Sequence, residues 1–264
     1  LNLIFTNMDI AIIGTGNTAT VLGKLCKEKG HRILEVNGRS STDTNFLAKE
    51  LEAKAGFELK QITQDADLYI IAVSDMAIDN VSVDIHVHEK IVVHTAGSMS
   101  IHLLDHTSSN YGVLYPLQSM RKEIEELPEI PFLIDGNNDF TKKELKTFAK
   151  TLSGNVQLAD DLQRKKVHLA AVFVANFSNY LYALAENYCY EEKIQFNSLL
   201  PLIKETTRRL EFYPAATTQT GPAIREDFST IEKHLDLLKD YPLMKTAYLA
   251  FTQSILTWNQ DDDI

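Results

Sequence analysis

The stretch from Asp9 to Ala19 reads DIAIIGTGNTA and decides the fold class of the chain. It places an apolar run directly before the pattern G-x-G-x-x-A, and a helical stretch and a second apolar run follow. In this context Gly14 permits a tight turn, Gly16 lets the backbone approach a diphosphate, and Ala19 keeps the helix close to the strand. The stretch predicts a dinucleotide-binding turn, with a purely structural turn as the alternative. The predicted cofactor-binding residues at this turn are Gly14, Gly16, Asn17, Thr18 and Ala19.

The second predicted strand ends at Asn37, where an NAD-preferring site usually places an acidic residue for the ribose hydroxyls. Arg39 and Ser40 follow, so a guanidinium and a hydroxyl are available for a 2′-phosphate that a carboxylate would repel. These three residues favour NADP over NAD as the cofactor. In the alternative interpretation Arg39 is an ordinary surface residue, and Glu35, on the same strand face as Asn37, contacts the ribose.

Short apolar runs alternate with amphipathic stretches in the first part of the chain, as is typical of strand and helix units around a parallel sheet. Strands are predicted at residues 9–13, 33–36, 68–73, 91–94, 112–115, 131–134 and 155–158. Beyond them the apolar spacing is helical, and helices are predicted at 162–190, 196–210, 227–239 and 242–258. The sequence therefore predicts an α/β protein: a Rossmann-type, mostly parallel sheet with helices on both faces in residues 1–158, followed by an all-α domain in residues 159–264.

Composition excludes several other classes of protein. The chain has 264 residues, 44% hydrophobic and 23% charged, which is typical of a folded chain with room for two domains. A formal net charge of -10, with no basic run, argues against nucleic-acid binding. The longest unbroken apolar runs, 68–73 and 169–174, are far shorter than the ~20 residues that cross a bilayer, so no membrane span is expected.

The cysteines and the chain ends bear on the compartment. Cys26 and Cys189 show no paired spacing, which predicts neither a metal site nor disulfides and favours the reducing cytoplasm. The opening LNLIFTN lacks a basic segment and a small-residue cleavage site, so no signal peptide is expected. The acidic end, 261–263, is expected to be a solvated tail.

Polar or small residues follow three further predicted strands. Ligands of a doubly wound sheet lie beyond the carboxyl ends of its strands, so these positions are candidates for binding. Val73 ends one strand and Ser74 follows it, Thr95 and Gly97 follow the next strand, and all four are predicted to line the cofactor. Gln118 follows a third strand and is predicted to contact substrate. For each residue taken singly, an ordinary strand-to-loop transition is the alternative.

His168 and Asn176, on the long predicted helix, are the predicted catalytic residues. Reduction of a carbonyl or imine requires a hydride from the nicotinamide and a proton from a positioned acid. His168 is predicted to supply the proton and Asn176 to orient the substrate. Eight residues along an α-helix give ~12 Å of rise and ~80° of rotation, so the two side chains could bracket a ligand but not grip one atom. In the alternative, His168 is a half-buried helix histidine and Asn176 makes a helix-helix hydrogen bond.

Two features of the helical half remain. Arg225 lies in TGPAIRED, residues 220–227, and is a candidate to anchor an anionic substrate or to reach the nucleotide, although this segment could equally be architectural with Asp227 as a helix cap. The helices also carry more apolar surface than one small bundle buries, which predicts a homodimer formed through the second domain. The aromatic residues behind this prediction are Phe173, Phe177, Tyr180, Tyr182 and Tyr188.

Six motifs resemble a known family: G-T-G-N-T-A, A-V-S-D, H-T-A-G-S, Y-P-L-Q, H-L-A-A-V-F-V-A-N-F and T-G-P-A-I-R-E-D. Together they resemble Rossmann-like proteins with a helical C-terminal domain of unknown function 2520, over nearly the whole chain. That family is similar in architecture to pyrroline-5-carboxylate reductase, ketopantoate reductase and the 6-phosphogluconate dehydrogenase group. The resemblance implies an NADP-linked reductase with a helical dimerisation domain.

The chain departs from these relatives at one point. The β-hydroxyacid and ketopantoate enzymes carry Lys and Asn four residues apart on a helix, on one face. Here Val172 stands four residues after His168 and four before Asn176, so that pair is missing. Two functions are therefore kept: an NADP-dependent oxidoreductase acting on a small carbonyl or imine in the cleft between the domains, or a non-catalytic NADP(H)-binding sensor or regulatory protein.

Overall fold

The computed structural model describes residues 7–124 and 126–260, in two compact units, Leu1–Phe173 and Val174–Ile264. The expectations for the opening segment and for the acidic end fall largely or wholly outside the described residues. The boundary between the units falls within the long helical run that starts at Asp161, so the first part of this run belongs to the first unit. A domain boundary after residue 158 stays a prediction.

The first unit is built on one eight-stranded sheet in the order β3-β2-β1-β4-β5-β6-β7-β8. Neighbouring strands are parallel except for the antiparallel pair β6 and β7. The strands are β1 Asp9–Ile13, β2 Arg32–Asn37, β3 Lys54–Gly56, β4 Leu68–Ile71, β5 Ile91–His94, β6 Asn110–Pro116, β7 Phe132–Gly136 and β8 Val156–Leu158. All seven predicted strands are present, and the mostly parallel Rossmann-type sheet is confirmed. The strand order reverses between β1 and β4, which is where such sheets bind dinucleotides.

Helices cover both faces of this sheet, as predicted. They are α1 Asn17–Glu28, α2 Ser41–Leu51, α3 Ile78–Ser82, α4 Asp139–Leu152 and α5 Asp161–Ala171. Alternation along β1 sends Ile10 and Ile12 into a core shared with α1, α2 and α4, while Ala11 and Ile13 join a second core that includes Ile78 of α3. The sheet is therefore buried on both sides, and the open positions are its strand ends.

The second unit is helical, as predicted. Its helices are α6 Ser178–Glu191, α7 Leu200–Arg209, α8 Phe228–Leu237 and α9 Pro242–Gln260. A π-helical segment, Val172–Phe177, joins α5 to α6. The predicted cap Asp227 accepts hydrogen bonds from the backbone N–H and the hydroxyl of Thr230, at 3.1 and 2.7 Å, and so begins α8.

One helical run among the described residues, Asp161–Glu191, is long and apolar enough to cross a membrane by length and composition. A single run of this kind is weak evidence, because the buried core helix of a soluble protein passes the same test; no part of the apolar window of this run is buried. The unbroken apolar run at residues 169–174 is much shorter than this helical run, because polar residues interrupt the apolar sequence on either side of it. The expectation of no membrane contact stays a prediction.

Candidate active site

The glycine turn after β1 leaves an open space at the start of α1. Gly14 has φ +120°, and a Cβ there would lie 2.3 Å from the Ala72 carbonyl oxygen, so only glycine fits. A Cβ on Gly16 would meet no atom within 4 Å. Gly16 is the N-cap of α1, and no side chain caps it and no acidic residue lies in the first turn. The helix therefore presents unpaired amides to open space, which is a site for an anion.

Close packing fixes this turn against the end of β2. The N–H of Gly14 donates to the carbonyl of Asn37 at 2.8 Å. A Cβ on Gly38 would lie 2.6 Å from Thr44 Oγ1 and 2.8 Å from Thr15 Cγ2, so the loops after β1 and β2 lie in contact. Ala19 is fully buried, which brings α1 onto the sheet as predicted.

The contacts at the end of β2 distinguish the two interpretations of cofactor choice, in which either Glu35 binds the ribose or Arg39 binds a 2′-phosphate. Glu35 is 1% exposed, and its carboxylate accepts hydrogen bonds from the Thr63 N–H at 3.2 Å and from Asn37 Nδ2 at 3.4 Å. Both Glu35 and the Asn37 side chain are thus occupied inside the unit, which disfavours Glu35 as the ribose ligand. Ser40 caps α2 by accepting from the Asp43 N–H at 3.3 Å. Arg39 is exposed and makes no hydrogen bond or ion pair to the described residues, so its guanidinium is available to a phosphate.

The ends of β4 and β5 lie side by side on the same edge of the sheet. Val73 is half-buried beside the glycine turn, and Ser74 is exposed. The Thr95 N–H donates to the Ile71 carbonyl at 3.2 Å, which fixes the chain as it leaves β5. Ser98 donates its hydroxyl to Asp75 at 2.6 Å and so links the two loops. The strand ends predicted to line the cofactor are therefore neighbours.

His94 holds the loop that follows β5. It is fully buried, the Ala96 N–H donates to its Nδ1 at 3.2 Å, and its Nε2–H therefore donates to the Ser100 carbonyl at 3.2 Å. Burial, with the nearby charge of Arg164 acting in the same direction, lowers the pKa of His94 to about 4. The neutral ring is thus a structural part of the loop 94–100, and it stays neutral at physiological pH.

This buried histidine makes the stability of the protein depend on pH. The pKa of His94 lies near 4 in the folded chain and near 6.5 when unfolded, so below pH 6.5 the unfolded chain takes up a proton that the folded chain does not bind. We expect His94 alone to lower the free energy of unfolding by about 2 kcal/mol between pH 8 and pH 5. Urea denaturation at both pH values checks this. His94→Gln should show a smaller change, and an unaltered pH dependence in that variant would contradict the assignment.

Three residues from separate elements meet beyond the end of β5. Tyr115 Oη of β6 lies 2.9 Å from His168 Nδ1 of α5, with the rings edge to face and their centroids 5.8 Å apart. A Cβ on Gly97 would lie 2.8 Å from His168 Nδ1 and 2.9 Å from Tyr115 Cζ. The glycine therefore leaves the space in which the two rings meet. His168 thus lies at the strand ends, and Tyr115 is a site residue that the sequence analysis missed.

An ion pair fixes α5 against the same loop. Arg164 is fully buried, and its Nη2 donates to the Met99 carbonyl and, at 2.7 Å, to Asp161 Oδ1. Asp161 Oδ1 also accepts from the Ile101 N–H at 3.3 Å. Because Arg164 lies one turn before His168, these bonds place the His168 ring beside Gly97.

Of the remaining predicted site residues, Gln118 lies in the first unit, and Arg225 and Asn176 lie in the second. Gln118 donates to the Glu129 carbonyl at 3.2 Å and accepts from the Ser119 N–H at 2.9 Å, so its amide is used within its own loop. Arg225 is exposed on a loop of the second unit. Asn176 is exposed within the π-helical segment, so the ~80° rotation of a regular α-helix does not describe its position relative to His168.

A comparison with solved structures finds a relative along the whole chain. A Bacteroides fragilis protein with the provisional name NADP oxidoreductase shares 38% sequence identity and a TM-score of 0.89, and the match covers 96% of this chain and 99% of that one. The chain belongs to this family of NADP oxidoreductases. The Rossmann sheet and the glycine turn described above are therefore those of an NADP oxidoreductase family.

Two domain families match parts of this NADP oxidoreductase. Residues 9–97 match the family described as NADP oxidoreductase, coenzyme F420-dependent, and residues 130–255 match the domain of unknown function 2520. The resemblance drawn from the six motifs is confirmed. A comparison with curated proteins gave no significant match.

More distant structures share the fold of the oxidoreductase. Pyrroline-5-carboxylate reductase from Streptococcus pyogenes has 14% identity and a TM-score of 0.63, covering 95% of this chain and 99% of that one. A reductive aminase from Aspergillus terreus, in complex with NADPH and ethyl-5-oxohexanoate, has 14% identity and a TM-score of 0.73, covering 97% of this chain and 95% of that one. At this identity the likeness concerns the fold.

Proposed function

We propose that this chain is an NADP-dependent reductase of a small carbonyl or imine substrate. The observation that carries the proposal is the contact of Tyr115 and His168 beside Gly97, on the sheet edge that also holds the dinucleotide turn. Nicotinamide-linked reduction requires a hydride source and a proton donor next to each other. This edge of the sheet provides a place for both.

The described residues fit NADP(H) as the cofactor. The free space over Gly16 and the uncapped start of α1 suit a diphosphate, and the unpaired Arg39 guanidinium suits the 2′-phosphate. The bound nicotinamide supplies the hydride. Gly97 packs against the two rings, and Thr95 precedes it at the end of β5, so the nicotinamide is expected to bind along this loop.

His168 supplies the proton and Tyr115 positions the ring. Burial, with the charge of Asp75 adding to it, raises the pKa of Tyr115, so its hydroxyl remains protonated and neutral near pH 7. The Nδ1–H of a protonated His168 donates to Tyr115 Oη, which leaves Nε2–H for the substrate oxygen or nitrogen. After transfer the ring is neutral and keeps its Nδ1 proton, and solvent restores the proton on Nε2.

Two measurements test this function in order. At equal ligand concentration a tighter-binding ligand raises the thermal unfolding midpoint more, so NADPH, NADH and reduced deazaflavin are compared first. We expect the largest shift with NADPH. NADPH oxidation is then followed against a panel of keto acids and cyclic imines. Oxidation with any member supports a reductase, whereas binding without oxidation supports the sensor, which the missing Lys and Asn pair favours.

We also propose that the protein is a homodimer formed through the second unit. Large apolar side chains are exposed along its helices, among them Leu243 at 67%, Val174 at 75% and Leu202 at 64%. Of the five aromatic residues named from the sequence, Tyr188 packs against Tyr241, with centroids 4.9 Å apart, and the other four are exposed. A monomeric mass at micromolar concentration would contradict the dimer.

We place the protein in the cytoplasm. Cys26 and Cys189 are both unpaired and buried, which suits a reducing compartment. The likeness to a Rossmann-type oxidoreductase along the whole chain supports a soluble protein. Recovery of the protein in the membrane fraction of lysed cells would contradict this placement.

A further inference from the structure

The described part of the connection between β6 and β7, residues 117–124 and 126–131, reaches the start of α1. The backbone N–H of Lys122 donates to Oδ1 of Asn17, the first residue of that helix, at 3.3 Å. The connection is fastened at both ends, since Gln118 donates to the Glu129 carbonyl at 3.2 Å, and Met120 and Leu127 pack against the core. It therefore lies as a strap beside the glycine turn.

Lys122 shares a cavity with this turn. The cavity has a volume of about 220 Å³, and Lys122 lines it together with Thr15, which stands between the two glycines of the turn, Thr20 of α1, and the carboxylates Asp43 and Glu50 of α2. Lys24 lines it too, but its ammonium is neutralised by Glu50 at 2.9 Å. Lys122 makes no ion pair with any described residue. Its charge is thus available, and its flexible four-carbon stem lets the ammonium reach the helix start.

A dinucleotide diphosphate brings two negative charges to a chain whose net charge is -10. The amides at the start of α1 offset this repulsion in part, and Arg39 lies beyond β2, where the 2′-phosphate is expected. Lys122 is a second unpaired cation, and its backbone lies beside Asn17 at the helix start, where the diphosphate is expected. We propose that Lys122 binds the diphosphate of the dinucleotide, held in place by the described residues of this strap. This inference rests on the proposed function.

The roles of Lys122 and Arg39 can be distinguished by comparing the affinities for NADPH and NADH. Calorimetric titrations of NADPH and NADH are compared for wild type, Lys122→Gln and Arg39→Gln. Because both nucleotides carry the diphosphate, Lys122→Gln should raise both dissociation constants by the same factor, about fivefold for one exposed charge. Arg39→Gln should weaken NADPH much more than NADH, since only NADPH carries the 2′-phosphate.

Two further variants control the experiment. Lys146→Gln removes an exposed, unpaired lysine from α4, changes the net charge equally and should leave both affinities unchanged. Lys122→Arg keeps the charge and should restore most of the affinity. Wild-type affinity for both nucleotides in Lys122→Gln, or a loss confined to NADPH, would overturn the assignment to the diphosphate. A wild-type protein that binds neither nucleotide would overturn the proposed function itself.

Discussion

Gly16→Asp should fold at least as well as the wild-type protein and lose measurable NADPH binding. Space is open around Gly16, its φ of -80° suits any residue, and it caps α1 without a side chain. Aspartate is a better N-cap than glycine by a few tenths of a kcal/mol, so the thermal unfolding midpoint should stay level or rise slightly. The same carboxylate occupies the space of the diphosphate and repels it, and we expect the affinity to fall at least about a hundredfold.

Two matched variants make this prediction specific. Gly154→Asp adds the same charge at another glycine with no atom within 4 Å of its Cβ and should leave NADPH binding unchanged. Gly14→Ala should instead lower the unfolding midpoint, because its Cβ meets the Ala72 carbonyl and its φ is +120°. Wild-type NADPH affinity in Gly16→Asp would show that the diphosphate does not bind at this turn.

His168→Ala should lower single-turnover hydride transfer about a hundredfold to ten-thousandfold while NADPH affinity stays nearly unchanged. The ring lies at the strand ends, beside Gly97 and away from the phosphate turn, so its loss removes the proton donor and leaves the cofactor contacts. Tyr115→Phe removes the hydroxyl that orients Nδ1 and should slow the same step by a smaller factor. Rapid mixing of the NADPH complex of each variant with the best substrate of the panel measures both hydride-transfer rates.

The second unit provides a control pair of the same geometry. His234 Nδ1 lies 2.9 Å from Tyr248 Oη, with centroids 5.7 Å apart and the rings edge to face. It joins α8 to α9 within the second unit and has no part in the proposed reaction, so His234→Ala should leave the hydride-transfer rate unchanged. Equal rates in wild type and His168→Ala would remove His168 from the chemistry.

Features set by neighbouring residues were predictable from the sequence. The turn at Gly14 and Gly16, the buried strands and the order of the helices depend on patterns within a few residues. The short strand β3, Lys54–Gly56, has no such pattern because three residues at the sheet edge bury little apolar surface. The π-helical segment also escaped prediction, since apolar spacing does not distinguish it from an α-helix.

The site depends on contacts that local patterns do not contain. Tyr115 and His168 are 53 positions apart, and Asn17 and Lys122 are 105 apart. Y-P-L-Q at the end of β6 predicts Gln118 as a ligand residue because an amide suits a ligand, whereas the structure ties that amide into its own loop. Strand alternation left Glu35 and Arg39 unresolved, and the hydrogen bonds of Glu35 with Thr63 and Asn37 now favour Arg39.

Backbone amide NMR shifts during an NADPH titration test the central claim most directly. If the diphosphate rests on the start of α1, the amide resonances of Gly16, Asn17 and Thr18 should move most and saturate together with binding measured by calorimetry. Saturating NADPH that leaves these three resonances in place would contradict the account.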